Sequence, residues 1–147
     1  MKLNRKHILG LREMNADEIH LILETAQQFK EVLSRPIRKV PALRGKSVCT
    51  LFFEPSTRTR SSFEMAAKIL SAETSSVTVA TSSVKKGETL KDTVLTMDAM
   101  GVDCFIIRHS SSGAPELASH YARGHVLNAG DGCHEHPSQG LLDLLTI

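Results

Sequence analysis

The sequence has little cysteine and no long apolar run, and these two absences exclude several classes of protein. Its three cysteines, Cys49, Cys104 and Cys133, form no CxxC pair, which argues against a disulfide framework and favours a reducing cytoplasm. The basic N-terminal segment contains an apolar run too short for a signal peptide. No window is long and apolar enough to cross a bilayer. We therefore expect a soluble cytoplasmic protein with no membrane partner.

The sequence also lacks a strong excess of charge of either sign. Its formal net charge of +2 is too small to indicate binding to nucleic acid, and a small anion responds to its local site rather than to the total. The 147 residues, of which 41% are hydrophobic and 23% charged, suit one globular domain. No internal repeat or low-complexity segment interrupts it.

Helical and strand-like segments alternate along the chain. Asn15 and Glu18 form a capping pattern ahead of an amphipathic helix that ends before Pro36. Further helices are predicted at 57–70, 89–100 and 114–121 and from Pro137 onward, and strands at 47–53, 75–80, 102–107 and 125–129. This alternation predicts an α/β fold, a parallel sheet with helices on both faces in a single domain. Ligands of such sheets bind beyond the carboxyl ends of the strands.

The segment Glu54-Pro55-Ser56-Thr57-Arg58-Thr59-Arg60 follows a predicted buried strand and opens a predicted helix. Backbone N–H groups and the helix dipole favour an anion at such a position. The hydroxyl groups add donors, and Arg58 adds a planar fork that matches phosphate oxygens. The alternative is that Ser56 only caps the helix while the arginines face water. The density of donors favours the anion site.

Two other segments are candidates for the same site. Arg108 and His109 follow a predicted strand, where site and surface are equally good interpretations. His136 precedes the helix that begins at Pro137 and faces a polar loop, although it could simply cap that helix. The run Cys133-His134-Glu135-His136 suggests a metal, but ligands this close in sequence rarely fill a tetrahedral shell alone, so we expect no metal.

Four segments together resemble the transcarbamylase family across essentially the whole chain. They are FFEPSTRTRSSFEMAA, SVKKGETLKDT at 83–93, IIRHS at 106–110 and NAGDGCHEHPSQGLLDLLTI at 128–147. Glu54-Pro55, the KKGET run and the NAGDG run resemble the aspartate enzyme rather than the ornithine enzyme, which remains an alternative. The departures are Ser138, where threonine is usual, and Ser71-Ala72, where leucine-glycine is common; we expect both to lie clear of the chemistry.

The resemblance implies a role for each candidate residue. The phosphate of carbamoyl phosphate would be held by the first turn of the helix and by Arg108. His136 would donate to the carbamoyl carbonyl oxygen, and Gln139 would recognise the carbamoyl amide. The implied catalytic residues are Arg58, Thr59, Arg108 and His136, and the implied substrate-binding residues add Ser56, Thr57 and Gln139. The reaction would need no cofactor.

The resemblance also implies an assembly. Ser82 and Lys86, which by themselves would suggest a solvated basic turn, match residues that reach into the site of a neighbouring subunit in the family. We therefore expect a homotrimer with shared sites. A regulatory chain or a dihydroorotase partner is possible, and the sequence does not decide between them.

The end of the chain suggests a natural continuation. The last helix reaches Ile147 with no glycine cap and no closing basic residue. We expect residues 1–147 to form the carbamoyl-phosphate-binding domain of an aspartate carbamoyltransferase, without the second domain that grips L-aspartate and therefore inactive alone. A non-catalytic scaffold for pyrimidine-pathway assembly is the alternative. Exposed leucines near the end are expected to make the piece prone to aggregation.

Overall fold

The computed structural model describes residues 3–78 and 89–147, and its secondary structure follows the predicted alternation. The helices are α1 (Ala16–Ser34), α2 (Thr57–Ile69), α3 (Leu90–Ala99), α4 (Ala114–Ser119) and α5 (Pro137–Thr146). The strands are β1 (Ser47–Phe52), β2 (Glu73–Thr78), β3 (Cys104–His109) and β4 (His125–Asp131). The third strand starts and ends two residues later than predicted. None of the helices in these ranges is long and apolar enough to cross a membrane.

All the strands of the described chain belong to one parallel sheet with the order β2-β1-β3-β4. The predicted parallel α/β class is therefore confirmed. The chain moves from β1 outward to β2 and then crosses back to β3 on the other side of β1. A parallel sheet has its ligand crevice where the strand order reverses in this way. That place lies beyond the ends of β1 and β3, at Phe52 and His109.

Apolar side chains alternate between the two faces of the sheet, and helices cover both. On one face Val48, Phe52 and Ile106 pack with Ala67 and Phe63 of α2. The other face forms the larger cluster, with α3 and α4 packed over it. That cluster consists of Cys49, Leu51, Val94, Val102, Phe105, Ile107, Ala118, Ala122 and Val126. Each strand thus directs one set of residues to each layer, which fixes which residues emerge at the crevice.

The three cysteines lie in different environments. Cys49 is fully buried in the larger cluster. Burial raises the pKa of the Cys104 thiol to about 11, with Asp103 adding to the effect, so this thiol stays protonated and unreactive at neutral pH. Cys133 is exposed.

Replacing Leu51, which is completely buried, tests the packing of the larger cluster. Leu51→Ala should lower the free energy of unfolding by about 2–5 kcal/mol, because it removes apolar contacts and leaves a cavity. The matched control is Leu144→Ala on α5, where the leucine is 48% exposed and a change of no more than about 0.5 kcal/mol is expected. Urea denaturation measures both. Equal losses in the two variants would contradict this account of the core.

Candidate functional site

A cleft of about 260 Å³ separates the openings of α2 and α5. It is lined by Thr59, Ser62, Phe63 and Ala66 on α2 and by His136, Ser138, Gln139 and Leu142 at and along α5. Both helices begin directly after strands that end in the crevice, so the sheet brings their openings to the same edge. Thr59 and His136, predicted separately from distant segments, therefore face one space.

The openings of α2 and α5 differ chemically from those of α1 and α3. The helices α1 and α3 each begin with a complete capping box, Asn15 with Glu18 and Thr89 with Asp92. At α2 and α5 the cap residues are Ser56 and His136, whose side chains make no capping hydrogen bond, and neither first turn contains an acidic residue. The interpretation of these two residues as simple caps is therefore wrong. The opening of α2 leaves backbone N–H donors and a positive dipole end free for an anion. At α5, Pro137 has no N–H and the Gln139 N–H bonds to the His136 oxygen, so this opening offers chiefly its dipole end.

The first turn of α2 presents the predicted donors toward solvent. Ser56 and Thr59 are half-buried, whereas Thr57 and Arg58 are exposed. Arg58 makes no hydrogen bond or ion pair with any residue in the described ranges. Because the Arg58 guanidinium has no partner among the described residues, it can turn toward an anion at the start of α2 without breaking an existing contact.

Arg108, near the end of β3, enters the site from the neighbouring strand, and its side chain is 20% exposed. Its Nη1 donates to the backbone oxygen of Ala129 at 3.0 Å, and its Nη2 donates to Oε1 of Glu54 at 3.3 Å. Its Nε is buried without a partner in the part of the chain that the structure describes. The backbone contact and the ion pair hold the guanidinium in place while leaving donor capacity unused. Such a group can receive an anion in the crevice.

An irregularity in β4 determines where Arg108 lies relative to His136. Pairing between β3 and β4 shifts between Ile107 and His109, so that Ala129 and Gly130 of β4 lie opposite Arg108 alone. Gly130 has a φ of +113°, and a Cβ there would lie 2.4 Å from Nη1 of Arg108 and 3.3 Å from Cδ2 of His136. This bulge needs glycine both for its conformation and for the close approach of the two side chains.

His136 is held neutral by its surroundings. Burial lowers its pKa, and the positive charge of Arg108 lowers it further. The hydroxyl oxygen of Ser138 lies 3.2 Å from Nδ1 of His136. The expectation that Ser138 lies clear of the candidate site is therefore wrong. Ser138 follows Pro137 in the first turn of α5, and its hydroxyl contacts the imidazole of the preceding His136.

Sequence reasoning missed a buried polar network behind the loop that carries His136. The carboxylate of Asp131, 2% exposed, accepts from the Gly113 N–H at 2.7 Å, from Asn128 Nδ2 at 2.8 Å and from the Glu135 N–H at 3.1 Å. Burial alone would raise the pKa of Asp131, but these hydrogen bonds outweigh it and lower the pKa. A polar residue at the end of an apolar strand was the only available signal.

Asn128 completes this network and supports the bulge directly. Its Oδ1 accepts from the Gly130 N–H at 2.8 Å, while its Nδ2 donates to the backbone oxygen of Leu9 at 2.9 Å. The side chain is almost fully buried, at 2% exposure. One amide group thus ties the bulge to the N-terminal segment and, through Asp131, to the loop before α5.

The remaining candidates lie in less direct positions. Gln139 lines the cleft, and its Nε2 donates one hydrogen bond to Oδ1 of Asp143 at 2.9 Å, which leaves its oxygen and one N–H for other partners. In the run considered for a metal, His134 Nδ1 lies 3.0 Å from the Asp131 carboxylate and Glu135 accepts from the Leu11 N–H. His109 accepts from the Ser111 N–H and lies 5.0 Å from the ring of Phe53. Ser82 and Lys86 lie outside the described residues.

Comparison with known proteins places this geometry in a family. Residues 6–147 match the family described as "Aspartate/ornithine carbamoyltransferase, carbamoyl-P binding domain". The chain belongs to the aspartate/ornithine carbamoyltransferase family. Its uncapped helix openings and Arg108 therefore lie in a domain type named for binding carbamoyl phosphate.

Relatives and solved structures fall in the aspartate branch of the family. The chain is 59% identical over 147 residues to the aspartate carbamoyltransferase catalytic subunit of Moorella thermoacetica, covering 100% of this chain and 48% of that relative. The catalytic subunit of M. jannaschii aspartate transcarbamoylase superimposes with a TM-score of 0.88 at 44% identity, covering 97% of this chain and 46% of that one.

The Trypanosoma cruzi aspartate transcarbamoylase in complex with carbamoyl phosphate and aspartate gives the same TM-score of 0.88 at 37% identity, covering 97% of this chain and 46% of that one. The predicted resemblance to the aspartate enzyme, rather than to the ornithine enzyme, is therefore confirmed. The chain spans about half the length of the curated relatives it matches.

The low pKa of His136 makes the stability of the folded chain depend on pH. Folding favours the neutral imidazole, so this contribution is complete above the unfolded pKa of about 6.5 and is lost as the pH falls through the lower folded pKa. An NMR titration should place the His136 midpoint below that of the same histidine in urea. Arg108→Gln should raise the midpoint by removing the neighbouring charge. A native midpoint at or above the urea value would contradict the assignment.

Gly130→Ala tests the bulge against a matched control. Alanine is strained at both Gly130 (φ +113°) and Gly101 (φ +90°), at a cost of about 1–2 kcal/mol for an ordinary left-handed residue, but a Cβ at Gly101 would meet nothing within 4 Å. Gly130→Ala should therefore lower the free energy of unfolding by a further amount of about 0.5–1.5 kcal/mol, because it displaces the end of the Arg108 side chain from its hydrogen bond to Ala129. Urea denaturation compares the two variants. An equal loss in both would show that Gly130 is needed only for its backbone conformation.

Proposed function

We propose that this chain binds carbamoyl phosphate in the cleft between α2 and α5, as the donor-binding half of an aspartate carbamoyltransferase. The observation that carries the proposal is the convergence of two uncapped helix openings on one cleft, beside a partly buried arginine. The family description and the named relatives agree with it.

The phosphate group belongs at the opening of α2. There the free backbone N–H groups are joined by the hydroxyls of Ser56, Thr57 and Thr59 and by the exposed charge of Arg58. Arg108 reaches the same crevice from β3, where its partly exposed guanidinium adds positive charge. These groups supply positive charge and hydrogen bonds to a dianion, and they would stabilise the phosphate as it leaves.

The carbamoyl group belongs toward α5. The imidazole of His136, neutral at pH 7 because of burial and Arg108, can donate one hydrogen bond to the carbonyl oxygen. Negative charge grows on that oxygen as an amine attacks the carbon, so the interaction strengthens in the transition state. The oxygen of Gln139 can accept from the carbamoyl NH₂, while one of its N–H donors holds Asp143.

In the complete enzyme the carbamoyl group would pass to the amine of L-aspartate. The amine nitrogen forms a bond to the carbonyl carbon, the bond from that carbon to the phosphate oxygen breaks, and the amine loses a proton. The products are N-carbamoyl-aspartate and phosphate, as in pyrimidine biosynthesis. The catalytic contribution of this half is positioning together with electrostatic stabilisation, which draws on no cofactor.

The partners follow from the same proposal. L-aspartate would be held by a second domain, so the 147-residue chain alone would bind the donor without turning it over. A cytoplasmic homotrimer, with Ser82 and Lys86 contributing to a neighbouring site, completes the proposal. A non-catalytic scaffold is a weaker alternative, because all of the candidate donors are retained in this sequence.

Titration calorimetry with carbamoyl phosphate tests the proposal directly. Arg58→Gln should weaken binding about 10- to 150-fold, the equivalent of one lost charge-assisted hydrogen bond of about 1.5–3 kcal/mol. The matched control is Arg38→Gln, which removes the same exposed charge from the segment between α1 and β1 and should leave the affinity within about 2-fold.

The two variants separate a site from a general charge effect. A wild-type chain that does not bind carbamoyl phosphate would overturn the proposal and favour the scaffold. Equal weakening by Arg58→Gln and Arg38→Gln would show that net charge, rather than the opening of α2, attracts the ligand.

A further inference from the structure

The contact between Ser138 and His136 has a chemical consequence beyond packing. A neutral imidazole carries one N–H, on either Nδ1 or Nε2, and the hydrogen bond at one nitrogen determines the state of the other. The Ser138 oxygen lies 3.2 Å from Nδ1. Among the described residues, 3–78 and 89–147, the Ser138 hydroxyl makes no other hydrogen bond.

We infer that Ser138 is a positioning residue that sets the tautomer of His136, by donating its hydroxyl proton to Nδ1 and so leaving the proton on Nε2. The inference concerns the ligand-free chain. Its significance for catalysis rests on the proposed function, in which His136 must act as a donor to a carbonyl oxygen.

The packing around the ring favours this arrangement. The Cδ2 edge of His136 faces Gly130 and Arg108, since a Cβ at residue 130 would lie 3.3 Å from Cδ2. A ring turned over would bring Nδ1 to that edge and lose the contact with Ser138. The ring orientation therefore fixes which nitrogen meets the hydroxyl.

In the opposite tautomer, neither the Ser138 hydroxyl nor Nε2 of His136 would have a suitable partner. If Nδ1 carried the proton, it would donate to Ser138, and the hydroxyl proton would have no acceptor among the described residues. Nε2 would then present a lone pair, which repels a carbonyl oxygen. With the proton on Nε2, Ser138 has an acceptor and the ring offers a donor.

The hydroxyl group, rather than the size of residue 138, is the feature that matters in this inference. Ser138→Thr retains the hydroxyl and Ser138→Val replaces it with a methyl group of similar shape, so the two variants form a matched pair. Ser138→Ala provides a second variant without the hydroxyl, in case valine disturbs the first turn of α5.

The decisive measurement is the tautomer of His136 in the ligand-free 147-residue chain. Long-range ¹H–¹⁵N spectra of histidine-labelled protein distinguish a protonated from an unprotonated ring nitrogen, and His136→Gln assigns the signals. We expect the Nε2–H form in the wild type and in Ser138→Thr, and a mixture or the Nδ1–H form in Ser138→Val and Ser138→Ala. A wild type in the Nδ1–H form, or variants that all keep Nε2–H, would overturn the inference.

A second readout relates the tautomer to the ligand. Ser138→Val should weaken carbamoyl phosphate about 2- to 10-fold, the scale of one neutral hydrogen bond, and leave inorganic phosphate unchanged, because phosphate has no carbonyl group to meet Nε2. Equal weakening of both ligands would point to a structural role and count against the inference. Absence of carbamoyl phosphate binding in the wild type would instead remove the proposed function, while the tautomer measurement would still stand.

Discussion

The bulge in β4 is the constraint on which the geometry of the site depends. The register between β3 and β4 shifts at this point, and a side chain at residue 130 would occupy the space that the Arg108 guanidinium fills. The extra residue lets Arg108 donate to Ala129 while its guanidinium lies against Gly130, close to the ring of His136. The cation fills the space beside the imidazole and adds to the larger effect of burial in lowering the pKa of His136. The bulge therefore bears on both the position and the protonation state of this histidine.

A second organising feature is the contrast between closed and open helix ends. Where α1 and α3 begin, the chain supplies its own carboxylate to the helix dipole. Where α2 and α5 begin, it supplies none. A helix without its own anion keeps an unneutralised field at its start. The distribution of acidic residues among the first turns thus separates structural helices from those that can serve a ligand.

Much of the fold could be predicted because local patterns and tertiary structure agree. The capping pattern at Asn15, the apolar run at Ser47 and the proline at Pro137 each mark an element within a residue or two of its observed bound. The α2 opening could also be predicted, since its donors are contiguous in sequence. The grouping of Arg108 with His136 came from resemblance, because nothing local relates residues that meet only through the sheet.

The features that sequence reasoning missed share one physical property. Asn128, Asp131 and Ser138 act through hydrogen bonds whose partners are set by tertiary structure. From sequence alone, an aspartate at a strand end is interpreted as a loop residue, because the hydrogen-bond donors that bury it come from other parts of the fold. The strand shift at Gly130 was equally hidden, because a glycine in a polar run suits an ordinary turn as well as a bulge.

The buried carboxylate of Asp131 has a consequence for the timing of site assembly. Because it gathers donors from before α4, from β4 and from just before α5, the segment leading to His136 is ordered as soon as the chain folds. The entropy cost of ordering this segment is then part of the free energy of folding and does not reduce the affinity for a ligand. This side of the cleft would therefore be ordered before a ligand binds, and adjustment on binding would fall to exposed groups such as Arg58 at the start of α2.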